Sequence, residues 1–246
     1  MHWFEGMDIG FIHKSVLFPN NSLEKHTLGD YGPGKFCPDF YNVNARIPDH
    51  AAALSGYGQS WKYFREVANK VRAMYTYKQK IQMEAINTIM DGLTSLHIRG
   101  ILSSAMESVR VGMHVRRGDI VTDAGQRNHG HVAATDDYLL RMVLRVQDKQ
   151  KNVVFFVISN DQEYCHKLFR KENFVFVEGH TAEVDMALMT FMDVVVLSVG
   201  SYGWWAAFLS DATDVYYFKD WPRNGSDFAK GVSAEDYFLP AWHGDN

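Results

Sequence analysis

From about residue 106 to its end the chain alternates short, mostly apolar runs with helically spaced stretches, and this rhythm restricts the possible folds more than any other feature. Residues 109–115, 153–158, 174–177, 194–197 and 215–218 are strand-like runs dominated by Val, Ile and Phe. Between them, residues 136–146, 162–170, 182–192 and 202–209 space their apolar side chains for helices. Strands that are apolar on both faces need helices on both sides, so the expected architecture is a parallel sheet inside an α/β unit. In such sheets ligands sit at the carboxyl ends of the strands. The fold class read from the chain is therefore α/β, with a Rossmann-like domain over residues 106–246.

The first 105 residues read differently, as a partial N-terminal domain. Residues 1–55 are broken by turn formers, among them Pro19-Asn20-Asn21, Gly29-Asp30-Tyr31-Gly32-Pro33-Gly34 and Pro48-Asp49. From Trp61 to about Leu96 the spacing turns helical: Phe64, Val67, Val71, Met74 and Tyr75 share one face, and Ile81, Ala85, Ile86, Ile89, Met90 and Leu93 continue it. At 246 residues the chain is long enough for one large domain or two small ones with real cores. A net charge of −4 with no run of one sign argues against a nucleic-acid binder or a membrane-surface helix, since both need a concentrated basic face. No stretch has the roughly 18 apolar residues of a membrane span, and a start containing Glu5 and Asp8 is not a signal peptide. Cys37 and Cys165 imply no disulfide framework. Two sequons, Asn20-Asn21-Ser22 and Asn224-Gly225-Ser226, are compatible with a secretory compartment.

Three segments stand where the sheet would present a ligand. The first, His114-Val115-Arg116-Arg117-Gly118-Asp119, ends the first strand of the α/β unit. Two adjacent guanidiniums are costly to bury without an anion, and arginine's planar fork matches phosphate oxygens bidentately. Gly118 permits a tight turn, and Asp119 is placed to orient an arginine or take a proton. The bland alternatives are a solvated basic pair and an Arg-Gly-Asp adhesion tripeptide. The tripeptide is disfavoured because it follows an apolar strand directly. The second segment, Ile158-Ser159-Asn160-Asp161, ends the next strand; read alone, Asp161 is a helix cap, and only its place beside the arginine loop suggests more. The third runs from Asp185 through Ser198-Val199-Gly200-Ser201-Tyr202-Gly203, where a strand enters a Ser/Gly turn and a helix begins at once. Free N–H groups and a partial positive charge at such a helix start suit a phosphate. Trp204 and Trp205 fit core packing better than a base-stacking platform.

Other chemistries find less support. There is no Asp-x-Asp pair to hold a divalent ion on a pyrophosphate. The close pair His129-Gly130-His131 lacks further ligands at metal spacing and reads as a mobile polar loop. No Gly-x-Ser-x-Gly elbow, Walker-type loop or Gly-x-Gly-x-x-Gly is present, which disfavours serine hydrolase, P-loop and ordinary NAD readings.

Four features in register resemble the galactoside α-1,2-fucosyltransferase family (glycosyltransferase family 11). They are Gly56-Tyr57-Gly58-Gln59-Ser60-Trp61-Lys62-Tyr63-Phe64, the segment at 114–119, the block at 185–209 and the terminal Phe238-Leu239-Pro240-Ala241-Trp242. The family's forms are similar to GY-x-QS-x-KYF, H-x-RRGD and a closing GT/S-x-G-x-W, and the match covers about residues 52–246. The resemblance implies a GT-B-like architecture of two Rossmann-like domains, a GDP-fucose donor and a galactose-terminated glycan acceptor. It implies inverting transfer of L-fucose to a galactoside 2-hydroxyl with no metal or other cofactor, and a Golgi location.

Residue by residue, the resemblance implies that Arg116 and Arg117 hold the pyrophosphate and stabilise departing GDP, with His114 supporting their loop. Asn160, Asp161 and Asp185 would approach the guanosine, while Ser198, Gly200, Ser201 and Tyr202 complete a phosphate cradle. Asp119 is the candidate base. The family's opening Gly-x-Leu-Gly-Asn segment has no counterpart here, so the N-terminal domain is expected to be incomplete and residues 1–55 to be the less ordered part. The rival reading is a catalytically silent homologue that binds GDP-sugar or glycan without transfer.

Overall fold

The computed structural model describes residues 24–27, 34–36, 52–55 and 60–246. Most of the turn-rich opening, together with Cys37, the first sequon and residues 56–59 of the first motif, lies outside the described residues. So does the expectation about order in residues 1–55. The chain divides into two compact units, Met1–Thr76 with Asp227–Pro240, and Tyr77–Ser226 with Ala241–Asn246.

In the first unit, strands β1 (Glu24–Thr27) and β2 (Ala52–Ser55) pair in parallel. A 3-10 turn (Trp61–Tyr63) leads to helix α1 (Ala68–Met74). Ser60 is buried and donates through Oγ to the Asp236 carbonyl at 2.7 Å, while Lys62 pairs with the Asp236 carboxylate at 2.6 Å. The Trp61 indole donates to the Glu235 carbonyl at 3.1 Å. The polar residues of the first motif thus hold the late segment 233–237 through bonds that only a fixed backbone can satisfy.

The second unit opens with helix α2 (Gln79–Ile98), then β3 (Val109–Val115), α3 (Gly118–Thr122), α4 (Ala124–His129) and α5 (Asp136–Lys149). There follow β4 (Val153–Ser159), α6 (Gln162–Leu168), β5 (Phe174–Phe176), α7 (Ala182–Thr190), β6 (Val194–Leu197), α8 (Ser201–Leu209), β7 (Asp214–Phe218) and β8 (His243–Asp245). The six strands β3 to β8 form one wholly parallel sheet in the order β5-β4-β3-β6-β7-β8. Counted from β3 this is 3-2-1-4-5-6, the order of dinucleotide-binding folds, and its switch point lies between β3 and β6. The α/β class and the Rossmann-like sheet are as expected. Val111, Met113, Phe155, Phe156, Val157, Val195 and Val196 are fully buried, and each such side chain contributes on the order of 1.5–3 kcal/mol of burial.

Close helix packing on one face follows from glycine. A Cβ at Gly112 would lie 2.7 Å from Met189 Sδ and 2.8 Å from Met192 Cγ, so the bare backbone lets α7 settle onto β3. On α2, Ala85, Ile89, Leu93 and Leu96 are buried at helical spacing, and the helix packs against α7. That contact puts α2 with the sheet, so the units divide at Thr76 and not near residue 105, and residues 227–240 fold with the first unit.

Local details depart from the reading of the sequence. The single helical stretch expected from Trp61 to about Leu96 is three pieces, because Tyr75 leaves helical geometry at ψ 42° and Tyr77 buries its ring at 5% exposure. The strand at 215–218 is not the last: β8 pairs in parallel beyond it, Tyr216 beside His243. Its His-Gly-Asp sequence carries no apolar signal, and sheet pairing alone makes it a strand.

Candidate functional site

Three strands end together at the switch point, and polar side chains lock their loops to one another. Ser198, at the end of β6, is 4% exposed; its N–H donates to the His114 carbonyl at 3.0 Å and its Oγ accepts the Arg116 N–H at 2.7 Å. On the other side Asn160, after β4, accepts the Arg117 N–H at 2.9 Å. Ser159 donates to the Val115 carbonyl at 2.7 Å and accepts the Asp161 N–H at 2.9 Å. Gly118 turns the chain at φ +24°, and any Cβ there would overlap the Asn160 amide. Only glycine satisfies both conditions.

The two arginines have different surroundings. Arg117 stacks 3.6 Å above the Tyr164 ring and meets Asp161 at 3.4 Å, with its side chain 20% exposed. Tyr164 is itself anchored, donating to Asp136 at 2.6 Å. Asp161 both caps α6, accepting the Tyr164 N–H at 3.2 Å, and pairs with Arg117, so the cap and the arginine loop share one carboxylate. Arg116 pairs with Asp119 at 2.6 Å in a contact open to solvent on both sides. An arriving dianion would compete with that single carboxylate for the guanidinium, whereas Arg117 is enclosed by an aromatic face and a helix cap.

The opposite wall is the start of α8. Gly200 caps it at φ +94°, and no side chain caps its first turn, which Ser201, Tyr202 and Gly203 form. The first-turn N–H groups of such a helix carry partial positive charge, and together with Arg116 they suit an anion. His114 is 5% exposed, its ring 5.4 Å from that of Tyr202 and its Nδ1 against the backbone of Gly203. Burial, helped by the charge of Arg116, pushes its pKa down to about 4, so at neutral pH it is an uncharged support beneath the loop. The Tyr202 hydroxyl donates to the Ala182 carbonyl at 2.5 Å and ties α8 to α7. The hydroxyl is thereby engaged within the protein, and only the backbone of Tyr202 belongs to the open first turn of α8. In the first turn of α7, burial raises Asp185 to about 6 against the opposing pull of His180, and its Oδ1 is buried with no hydrogen-bond partner. A carboxylate in that condition is an acceptor awaiting a donor.

Four residues near this site were not read from the sequence in that role. Tyr164 and Gly203 hold Arg117 and His114, and no periodicity marks them. The pair at His129 and His131 is tied to a helix: α4 runs to His129, and the His131 N–H donates to the Gln126 carbonyl at 3.0 Å. The indole of Trp221, buried at 6% exposure, reaches His131 Nδ1 at 3.5 Å, and burial and the neighbouring His129 hold the His131 pKa below its ordinary value. Asp119 and Arg116 both act on it electrostatically, which places it near their pair. Ninety residues separate His131 from Trp221, so nothing local reports that contact. Among the described residues no cluster of three or more His, Cys, Asp or Glu side chains is arranged to hold a metal.

With that geometry established, similarity to known proteins becomes specific. A family profile described as Glycosyl transferase family 11 matches residues 26–246. Galactoside alpha-(1,2)-fucosyltransferase 1 of Saimiri boliviensis boliviensis is 30% identical over 207 residues, covering 82% of this chain and 54% of that protein. The Lagothrix lagotricha protein of the same name is 31% identical over the same coverage. The chain therefore spans about half the length of the curated relatives it matches. Among solved structures, a crystal structure of POFUT1 in complex with GDP-fucose aligns with a TM-score of 0.36 and 9% identity, covering 81% of this chain and 72% of that one. That likeness is too loose to bear on fold or function.

Proposed function

Since the chain belongs to glycosyl transferase family 11, we propose that it transfers L-fucose from GDP-fucose to the 2-hydroxyl of a terminal galactoside, with inversion at the anomeric carbon and without a metal. The observation that carries this reading is the bond from the Arg116 N–H to Ser198 Oγ across the switch point, which ties the arginine loop to the turn that leads into the uncapped start of α8. In this GT-B-like reading, the unit of residues 77–226 and 241–246 binds the donor. The pyrophosphate lies between Arg116 and the first turn of α8, at Ser198, Gly200, Ser201 and Tyr202. Arg117 holds the loop in place from its seat on Tyr164 and Asp161, with Asn160 closing the same turn. Asp185 accepts hydrogen bonds from the guanine N–H groups.

The acceptor hydroxyl oxygen attacks the fucose anomeric carbon from the face opposite GDP. As that bond forms, the bond from carbon to the β-phosphate oxygen breaks, and the charge gathering on GDP is met by Arg116 and the helix start. Binding of the donor draws Arg116 away from Asp119 and frees that carboxylate to take the hydroxyl proton. The Golgi lumen belongs to the same proposal. Among the described residues no helix is long and apolar enough to cross a membrane. The test is incubation of the chain with GDP-fucose and a terminal β-galactoside, followed by linkage analysis of the product. Fucose on the 2-hydroxyl is the expected result; GDP binding with no product would instead identify a catalytically silent homologue.

A further inference from the structure

The turn at residues 223–226 carries an Asn-Gly-Ser triplet that the site above does not use. Its base is held: the Arg223 N–H donates to the Gly130 carbonyl at 2.9 Å, and the Ser226 N–H closes the turn on the Arg223 carbonyl at 3.1 Å. Its tip projects: Asn224 and Gly225 are exposed, and Gly225 sits at φ +76° with nothing within 4 Å of where a side chain would begin. Ser226, two residues on, is only 7% exposed.

We propose that Asn224 is a site of N-linked glycosylation and that the glycan is attached before this turn folds. The triplet is an acceptor sequon, and an exposed turn is where such a glycan is tolerated. In the transfer, Asn224 Nδ2 bonds to C1 of an oligosaccharide carried on a lipid pyrophosphate. The bond from C1 to the pyrophosphate oxygen breaks, the lipid pyrophosphate leaves, and one amide proton passes to a base of the transferring enzyme. That enzyme reads the sequon's hydroxyl as well as its amide. In the folded chain Ser226 is buried, so the folded protein is a poor substrate and the nascent chain a good one. Once the turn closes, the glycan is left on the exposed tip while the serine packs inside.

The inference rests on the secretory placement proposed above, and the experiment separates the two. The full chain, in an Asn20→Gln background and behind an unrelated cleavable leader, is translated with microsomes that carry out N-glycosylation. One glycan at Asn224 is expected, removed by peptide N-glycosidase, located by peptide mass spectrometry and lost in Asn224→Gln and Ser226→Ala. The folded protein offered to the same solubilised enzyme should gain at least tenfold less. A translocated chain left bare at Asn224 while a control glycoprotein is modified would overturn the site. Equal modification of the folded protein would overturn the order of events. Because the leader forces translocation, neither result depends on the chain's own compartment, which is read separately from uptake without the leader. Asn224→Gln should leave GDP affinity unchanged.

Discussion

Arg116 and Arg117 are neighbours in sequence but hold different partners, and their substitution should differ accordingly. Arg116→Ala breaks only a solvent-open pair with Asp119 and, on the proposed function, removes a charge-assisted contact to the pyrophosphate. The expected cost is about 2 kcal/mol of GDP affinity, roughly 30-fold, with little change in Tm. Calorimetric titration checks it, and equal GDP affinity in the two proteins would remove Arg116 from the site. Asp185 supplies a second residue-scale prediction, with a sign that runs against intuition. Its folded pKa, about 6, lies above the ordinary carboxyl value near 4. The fold therefore favours the neutral form, and that contribution is complete below about pH 4 and lost as pH rises through 6. Asp185→Asn should raise Tm at pH 7, with the gain shrinking toward pH 4, while weakening GDP binding by about 2 kcal/mol. Thermal melts at the two pH values, paired with titrations, test both halves; an unchanged Tm at pH 7 would mean the carboxylate is not strained by burial.

At the scale of elements, the sheet is fastened at the end away from the site. Arg110 at the start of β3 donates through Nη2 and Nε to Asp193, just before β6, at 2.6 and 2.9 Å, and its own N–H adds a third bond at 2.8 Å. Burial works against the Asp193 charge, but the bonds to Arg110 outweigh it and hold the carboxyl below its ordinary value. Its stabilisation is present above about pH 4 and lost as pH falls through the depressed value. Both side chains are more than a third exposed, so Asp193→Asn should cost only about 1 kcal/mol, or about 2–4 °C in Tm at pH 7, and nothing at strongly acid pH. Gly203 makes the complementary case at the site end. Its missing Cβ is the notch that seats His114 under α8. Gly203→Ala should destabilise by about 1–3 kcal/mol through overpacking and lower GDP affinity too, because the displaced helix is the proposed seat of the pyrophosphate. A stable Gly203→Ala protein with wild-type affinity would show that His114 has room to move.

For the whole molecule, the source of positive charge at the site is the question that matters for its chemistry. In the proposed site the Arg116 guanidinium and a helix start, with Arg117 adding charge from within the loop, offset a pyrophosphate where other enzymes use a divalent ion. Turnover should therefore survive saturating EDTA. A rate that collapses with chelator and returns with manganese would transfer the charge-balancing role to a metal. Architecture is decided at this scale as well. Residues 227–240 fold with the first unit while Ala241–Asn246 return to the second, where β8 closes the sheet edge beyond β7.

The amino-acid sequence alone settles whatever a local pattern can carry. Apolar runs such as residues 153–158 and 194–197 specify buried parallel strands because no other element buries both of its faces over so few residues. Strand ends follow from those runs, which is why Arg116, Asn160, Asp161 and Ser198 are legible as neighbours from the order of residues. Tertiary packing decides what depends on partners far along the chain. It separates Arg117, stacked on Tyr164, from Arg116, left to an exposed carboxylate. It sets His131 against Trp221, leaves Asp185 with a buried oxygen unpaired, and makes a strand of His243–Asp245. The physical reason is common to all of these. Periodicity reports which face of an element is buried, but the partner of a polar side chain is fixed by the packing of whole elements, and that information is not stored near the residue.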